Sequence, residues 1–456
     1  MTARPRAGRK ANERLRAVME EAACSATGLA RRVNSCGAEH GLDLHYDKTS
    51  VARWLRGQQP RGRAPAIIAE ALERKLGRVV TVDEIGMNPG PGLDSAVGLR
   101  FEPTVPGAIQ QACALWRSDA NHTGSPARGK LAMSVLVESS RDWLIAVPDP
   151  AVVGDGAPPT HAPDVATVCA ATTALADLDH RFGSGRVRPL AVHYLNTVVS
   201  DLLAGSYDET TGRCLLGAAA RLTELAGYMA VDTGQLGLAQ RYAIQALRLA
   251  QAADDRGFGG YVLAFGMSRL ALQLGNPREA IQLARVAREG TRGHTSTMAQ
   301  AVFHATEARG HALLGDTPAC ERAIGLAVET WKLDGADQAS NWCGRVDRAF
   351  LEEELARCYR DINQPAIAVR WAQEALLKCP PQRVRRRALR HLLVASLQLE
   401  LGDVAHSVGT ATDAIALIHG LRSSQVHGAL EALRVRLEAL GRQEEARVLR
   451  VHEPGR

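Results

Sequence analysis

The chain has 456 residues, of which 46% are hydrophobic, 23% charged and only 4% aromatic. That composition belongs to a globular protein of several units, and the scarcity of aromatics beside abundant Ala and Leu argues for helices over sheets. The formal net charge is +6, and residues 1–90 hold 16 Lys or Arg against 10 Asp or Glu, so the whole excess sits in the first fifth of the chain. A local surplus of this kind suits a polyanionic partner.

Apolar stretches such as KLAMSVLVESSRDWLIAV are broken by charges before the roughly 18 continuous residues of a membrane span. The basic opening MTARPRAGRKANERLR leads into no apolar signal-peptide core, so the expected location is the cytosol, without a membrane partner. Nine Cys (Cys24, Cys36, Cys113, Cys169, Cys214, Cys320, Cys343, Cys358, Cys379) are scattered with no Cys-x-x-Cys pair, and read as reduced core thiols.

Residues 1–11 read as a basic flexible arm. Helical patterning begins at NERLRAVMEEAA, where Asn12 can cap a helix with Leu15, Val18 and Met19 on one face. Ser25 can cap a second helix, ATGLARRVN, that turns Leu29, Ala30 and Val33 towards the first. The connection SCGAEHGLDLHYD reads as long and irregular. Asp47 then caps a third helix with Val51, Trp54 and Leu55 inward; Lys48, Thr49, Ala52, Arg53 and Arg56 face outward, and Ser50 lies near the boundary. Gly57 closes this helix, and after QQPRGR a fourth runs APAIIAEALERKLG. Four short helices over residues 12–87 thus form one unit, followed by the Gly- and Pro-rich linker GMNPGPGLDSAVG.

Residues 88–163 read as linker and a middle helical region, around PGAIQQACALWRSD and SVLVESSRDWLIAV. From residue 164 to 450 an internal repeat emerges. Turn pairs recur at Gly234-Gln235, Gly275-Asn276, Gly315-Asp316, Gly402-Asp403 and Gly441-Arg442, with Ile362-Asn363-Gln364 supplying the turn missing from the series, so the period is close to 40. After the turns small residues fall at one offset: Ala239, Ala243, Ala246; Ala280, Ala284, Ala287; Ala368, Ala372, Ala375. This is the pattern of tetratricopeptide-like helix pairs, in which small side chains admit a close neighbour helix. The expected fold is all-α: an N-terminal helix-turn-helix domain, a helical linker region and a tetratricopeptide-like α-solenoid.

Motifs for chemistry fail on inspection. GSPARGKL, residues 124–131, begins like a phosphate-cradling loop but ends in Leu where a Mg²⁺ site wants Ser or Thr. GFGGYV, residues 257–262, lacks the third Gly of a dinucleotide fingerprint and reads as close helix packing. The 14 His form no metal motif, and no Gly-x-Ser-x-Gly elbow occurs. The expectation is a non-enzyme without cofactor or metal. RVRRRALRH, residues 383–391, reads as a solvated basic face.

In a helix-turn-helix domain the third helix anchors by its buried stripe and offers its other face to the major groove. The helix after Asp47 can do both: Arg53 and Arg56 are forks for guanine edges or phosphates. Ser25 and Thr27, at the start of the second helix, could meet a backbone phosphate.

The stretch SVARWLRGQQPRGRAPAIIAEAL resembles the recognition-helix region of actinobacterial Xre-type helix-turn-helix regulators, and LAGYMAVDTGQLGLAQRYAIQALRLA resembles the tetratricopeptide region of the same large regulators. The resemblance implies a DNA-binding transcriptional regulator, of a kind that in streptomycetes controls development and antibiotic production. It assigns DNA contact to Lys48, Thr49, Ser50, Arg53 and Arg56, with Arg61 and Arg63 as phosphate contacts. Double-stranded DNA, a second copy of the chain, and a peptide, protein or small-molecule effector on the repeats are the expected partners. The long connection before Asp47 departs from simpler Xre domains. A cytosolic repeat adaptor without specific DNA binding is the rival reading.

Overall fold

The computed structural model describes residues 11–39, 44–60, 64–76, 78, 80, 82, 84–87, 97–121, 133–150, 152–332 and 347–450. The chain is all-α; the strands among the described residues are β1 (Gly154–Asp155) and β2 (Ser206–Tyr207), two residues each and antiparallel. It divides into two compact units, Met1–Asp94 and Ser95–Arg456. Arg61, Arg63, Cys343 and the GSPARGKL segment lie outside the described residues.

The first unit contains α1 (Glu13–Glu21), α2 (Ala26–Glu39), α3 (Lys48–Leu55) and α4 (Ala64–Leu76). Their apolar stripes meet in one core, with Leu15, Leu29, Val33, Val51, Ile68 and Leu72 almost fully buried, and Val80, Ile85 and Met87 close it from beyond α4. Asn12 caps α1 by accepting from Leu15 N at 3.0 Å.

The connection before α3 is shorter than the sequence suggests, because α2 continues to Glu39 instead of stopping near Asn34. Asn34 then clamps the returning chain at Tyr46: its Nδ2 donates to Tyr46 O and its Oδ1 accepts from Tyr46 N, each at 2.9 Å. Leu44 packs so closely on Gly37 that a Cβ there would lie 2.5 Å from Leu44 Cδ1, which explains a glycine inside this helix.

In the second unit α5 (Val105–Ala120), α6 (Met133–Ile145), α7 (Ala162–Phe182), α8 (Ser184–Tyr194) and α9 (Ser200–Leu203) come first, with a π-helical turn at Leu195–Val199. Among the described residues six helix pairs follow. They are α10 (Glu209–Asp232) with α11 (Leu236–Ala252); α12 (Arg256–Tyr261), a π-helical segment Val262–Ser268 and α13 (Arg269–Gln273) with α14 (Pro277–Gly290); and α15 (Thr297–Leu313) with α16 (Thr317–Lys332). Then come α17 (Arg348–Asp361) with α18 (Pro365–Leu377), α19 (Val384–Glu400) with α20 (Val404–Ile418), and α21 (Ser424–Ala439) with α22 (Gln443–Val448).

Every pair turns on one left-handed residue: Gly234, Gly275, Gly315, Asn363, Gly402 and Gly441, with φ between 60° and 81°. The following amide reaches back five residues, as in Gln235 N to Ala230 O at 2.8 Å and Gln364 N to Tyr359 O at 2.8 Å, which is the closing bond of a Schellman turn. Five residues beyond each turn a small side chain is buried, and the series that starts at Ala239, Ala280 and Ala368 is completed by Cys320, Ser407 and Ala446. Ser407 adds a bond to the preceding helix, its Oγ donating to Ala395 O at 2.8 Å.

The middle helical region packs on the helix pairs, α5 and α6 lying against α11, and α6 also against α14. Its extended residues are held by α11 side chains: Gln245 Nε2 donates to Gly98 O at 3.0 Å and to Arg100 O at 2.9 Å, and Arg248 pairs with Asp149 at 2.8 Å. The RVRRRALRH run is not a solvated face, for Arg385, Arg386 and Arg390 are 1%, 8% and 1% exposed. They are buried because carboxylates distant in sequence meet them, Arg385 bonding Asp179 and Asp232, and Arg390 bonding Glu353 at 2.9 Å. Nor are all the thiols core residues: Cys169 and Cys214 are exposed, and Cys113 is half-buried. The close-packing reading of GFGGYV does fit, with a Cβ on Gly259 lying 2.7 Å from the Trp143 ring. Finally, α10 is long and apolar enough to cross a membrane by length and composition, but it lies packed against α7, α8 and α11 as a core helix.

Helices distant in sequence meet within the second unit. Arg385 of α19 donates to Asp179 of α7 at 3.0 Å and to Asp232, the last residue of α10, at 3.1 Å. Ser423, which caps α21, donates to the other oxygen of Asp232 at 2.6 Å. Backbone bonds repeat the connection, Arg422 N to Phe182 O at 3.0 Å and Gly185 N to Arg422 O at 3.1 Å. Residues of α7, α8, α10, α19 and the start of α21 are thus joined.

Candidate nucleic-acid interface

The helix α3 is fixed at its start by Asp47, whose Oδ1 accepts from Ser50 N and from Ser50 Oγ, both at 2.8 Å. These bonds, the backbone one first, hold the Asp47 carboxyl below the usual aspartate range, so the cap carries its charge at neutral pH. Val51 and Trp54 anchor the inner face at 0% and 3% exposure, and Tyr46 meets the Trp54 ring edge-on at 4.9 Å. Gly57, at φ 86°, ends the helix. Leu55 is only half-buried, yet its carbonyl accepts from Asn12 N at 2.9 Å and so ties the end of α3 to the start of α1.

The outer face carries Lys48, Thr49, Arg53 and Arg56, all exposed, with Ala52 half-buried between them. Ser50 is a correction: it is 6% exposed, so its hydroxyl is turned from the surface towards Asp47, and it also accepts from Arg53 Nη2 at 3.3 Å. Its place is beneath the face, aligning Arg53, because position 50 falls on the same side of the helix as Trp54. Arg56 Nε donates to Ala52 O at 3.2 Å, which leaves its remaining guanidinium donors for another partner.

Ser25 and Thr27 are exposed at the start of α2, where Ser25 Oγ accepts from Gly28 N at 3.1 Å as a cap. Sequence reading passed over Arg31 and Arg32, which are exposed further along α2. Their signal was available, two adjacent Arg set off from the Leu29, Ala30 and Val33 stripe.

Charge is sorted within this unit. Glu21 and Glu84 pair with Arg78 at 2.5 and 2.8 Å, Glu70 with Arg74 at 2.6 Å, and Glu13 with Arg16 at 3.2 Å. Lys48, Arg53, Arg56, Arg31 and Arg32 have no acidic partner among the described residues. Glu13, Glu21, Glu70 and Glu84 are thus engaged by other cations, and those on the outer face of α3 have no carboxylate paired to them among the described residues.

Residues 15–88 match the model of a family described as the SP15 N-terminal domain. The match begins within α1 and ends just beyond Met87, so it is confined to the first unit. No curated protein matches the chain.

Proposed function

We propose that this protein is a sequence-specific DNA-binding transcriptional regulator of the cytosol that binds double-stranded DNA through α3. The observation that carries the reading is a short, rigidly anchored helix with Lys48, Thr49, Arg53 and Arg56 exposed on one face and no carboxylate paired to its cations among the described residues. Anchoring by Val51 and Trp54 gives the face a defined orientation, and the two Arg forks match guanine edges and phosphates. Arg31, Arg32, Ser25 and Thr27 extend the contact to backbone phosphates. The helix pairs of the second unit are tetratricopeptide-like: they join two copies of the chain and receive an effector. A dimer implies an operator with two half-sites about one helical turn apart.

Selection from a random duplex library followed by gel-shift titration tests this. The intact protein is expected to enrich one motif, and Arg53→Ala to weaken binding to it by roughly tenfold or more, as for loss of a base-reading fork. Lys48→Ala should lower affinity on all sequences and reduce the salt dependence by about one phosphate contact. Failure to enrich any motif, or unchanged affinity in Arg53→Ala, would remove the regulator reading and leave a repeat adaptor.

A further inference from the structure

Helices α7 and α8 fold back on one another about Gly183 and both pack on α10, so their sides away from α10 form one surface. Between Asp164 and Asp177 the exposed residues of α7 are Ala166, Thr167, Cys169, Ala170, Thr173 and Ala174, none of them charged. Steps of four carry the line on from Ala166, Ala170 and Ala174 to Leu178 and Phe182, which are 36% and 42% exposed. On α8 and the π-helical turn after it, Pro189, Leu190, His193 and Val198 are exposed between Arg186 and Asp201, Leu190 at 54%. Arg188, the one Arg in that stretch, is turned inward and paired with Asp119.

The hydroxyls of this surface are already engaged. Thr167 Oγ1 donates to Pro163 O at 2.9 Å, Thr173 Oγ1 to Cys169 O at 3.1 Å and Thr197 Oγ1 to His193 O at 2.8 Å, so these threonines spend their protons on the preceding turn of their own helices. Covering them with another protein surface therefore leaves no hydroxyl donor stranded. By contrast, α14 exposes Arg278, Gln282, Arg285 and Glu289, the ordinary wet face of an amphipathic helix. In a chain that is 23% charged, a surface of two helices with charge only at its ends is set up to be covered.

We propose that the surface of α7 and α8 is where two copies of this chain meet. Helix α7 has 21 residues, and two helices side by side, each about 31 Å long and about 10 Å wide, give a footprint of roughly 600 Å² per copy, the size at which specific interfaces begin. A second copy is the occupant that this chemistry suits. A two-fold axis sets the surface against itself, so an uncharged centre needs no complementary charge from a partner, and its small residues let the helices approach closely. Asp177, Arg181 and Arg186 are exposed near the hairpin turn and fall at the rim, where charge stays in contact with water. This interface rests on the reading of the second unit as the part that joins two copies, and narrows it to one hairpin; dimer formation involves no DNA, so it can stand or fail apart from operator binding.

Sedimentation equilibrium of the full chain is expected to show a monomer in equilibrium with a dimer. Ala170→Glu and Leu190→Glu each set a carboxylate into the surface, and each should weaken dimerisation by about tenfold or more. Both residues are exposed, so the fold tolerates the change. Leu377→Glu, at a residue 79% exposed on α18, makes the same kind of change elsewhere and should alter the equilibrium by less than about twofold. Cys169 supplies a second readout in the unaltered chain: its alkylation by N-ethylmaleimide should slow several-fold as the protein is concentrated through the dimerisation range. Alkylation of Cys214 should not slow, because Cys214 stands on α10 in line with Gly217 and Arg221, which meet Ala253 and Asp255. A monomer at every concentration, a dimer that both Glu variants leave intact, or equal alkylation of Cys169 in monomer and dimer would overturn the proposal.

Discussion

Three segments of the first unit converge on Asn12. Its Oδ1 caps α1, its Nδ2 donates to Ile85 O at 2.9 Å and Gly86 O at 3.2 Å, and its backbone amide holds the end of α3. At 8% exposure these bonds are shielded from water. Replacing it by Ala should cost about 2 kcal/mol, the sum of a lost cap and an unmet buried carbonyl, read by urea unfolding. Asn12→Asp keeps the cap acceptor and loses the donor, so about half of that loss is expected. Sequence gave Asn12 its capping role through its position before an amphipathic run. It could not give the link to residues 85 and 86, which lie 73 and 74 positions away. Ser50 shows the same limit on a finer scale: helical spacing put it at the boundary, and only its bond to Asp47 turned it inward.

Among the elements, the pair turns were legible because one backbone requirement repeats. A left-handed residue at each turn admits Gly freely and Asn tolerably, and those residues were visible in the sequence at a period near 40. No atom lies within 4 Å of a Cβ built on Gly402, so substitution there tests conformation alone. Gly402→Ala should destabilise by about 1 kcal/mol, and Asn363→Gly should be neutral or slightly stabilising; thermal unfolding of the two variants separates them. Helix α11 was legible on one side only. Its Ala series marks the contact with α10, but Gln245 and Arg248 look like a wet face until residues 97–103 and Asp149 cover them. The Arg383–His391 run misleads for the same reason, since the carboxylates that bury Arg385 stand 206 and 153 residues away.

On the scale of the molecule, two half-buried histidines tie the second unit to pH. Burial, joined by nearby Arg, lowers both His304 and His391 from the ordinary histidine value of about 6.5. A folded-state pKa below the unfolded one means that the unfolded chain takes up protons first as pH falls. Their contribution to stability is complete above pH 6.5 and is lost progressively below it. Melting temperature should hold steady between pH 7 and 8 and fall below 6.5, and His391→Gln should make that fall shallower; an unchanged slope would show that other groups govern it.

An open row of helix pairs can gain or lose a member at either end, because each pair touches only its neighbours. Here Arg385 of α19 and Ser423 at the start of α21 bind Asp232 at the end of α10, so the pairs that lie between are held at both ends. Duplicating one of those pairs would part Arg385 from its aspartates and strand three charges away from water. The join consequently fixes the number of pairs between Asp232 and Arg385.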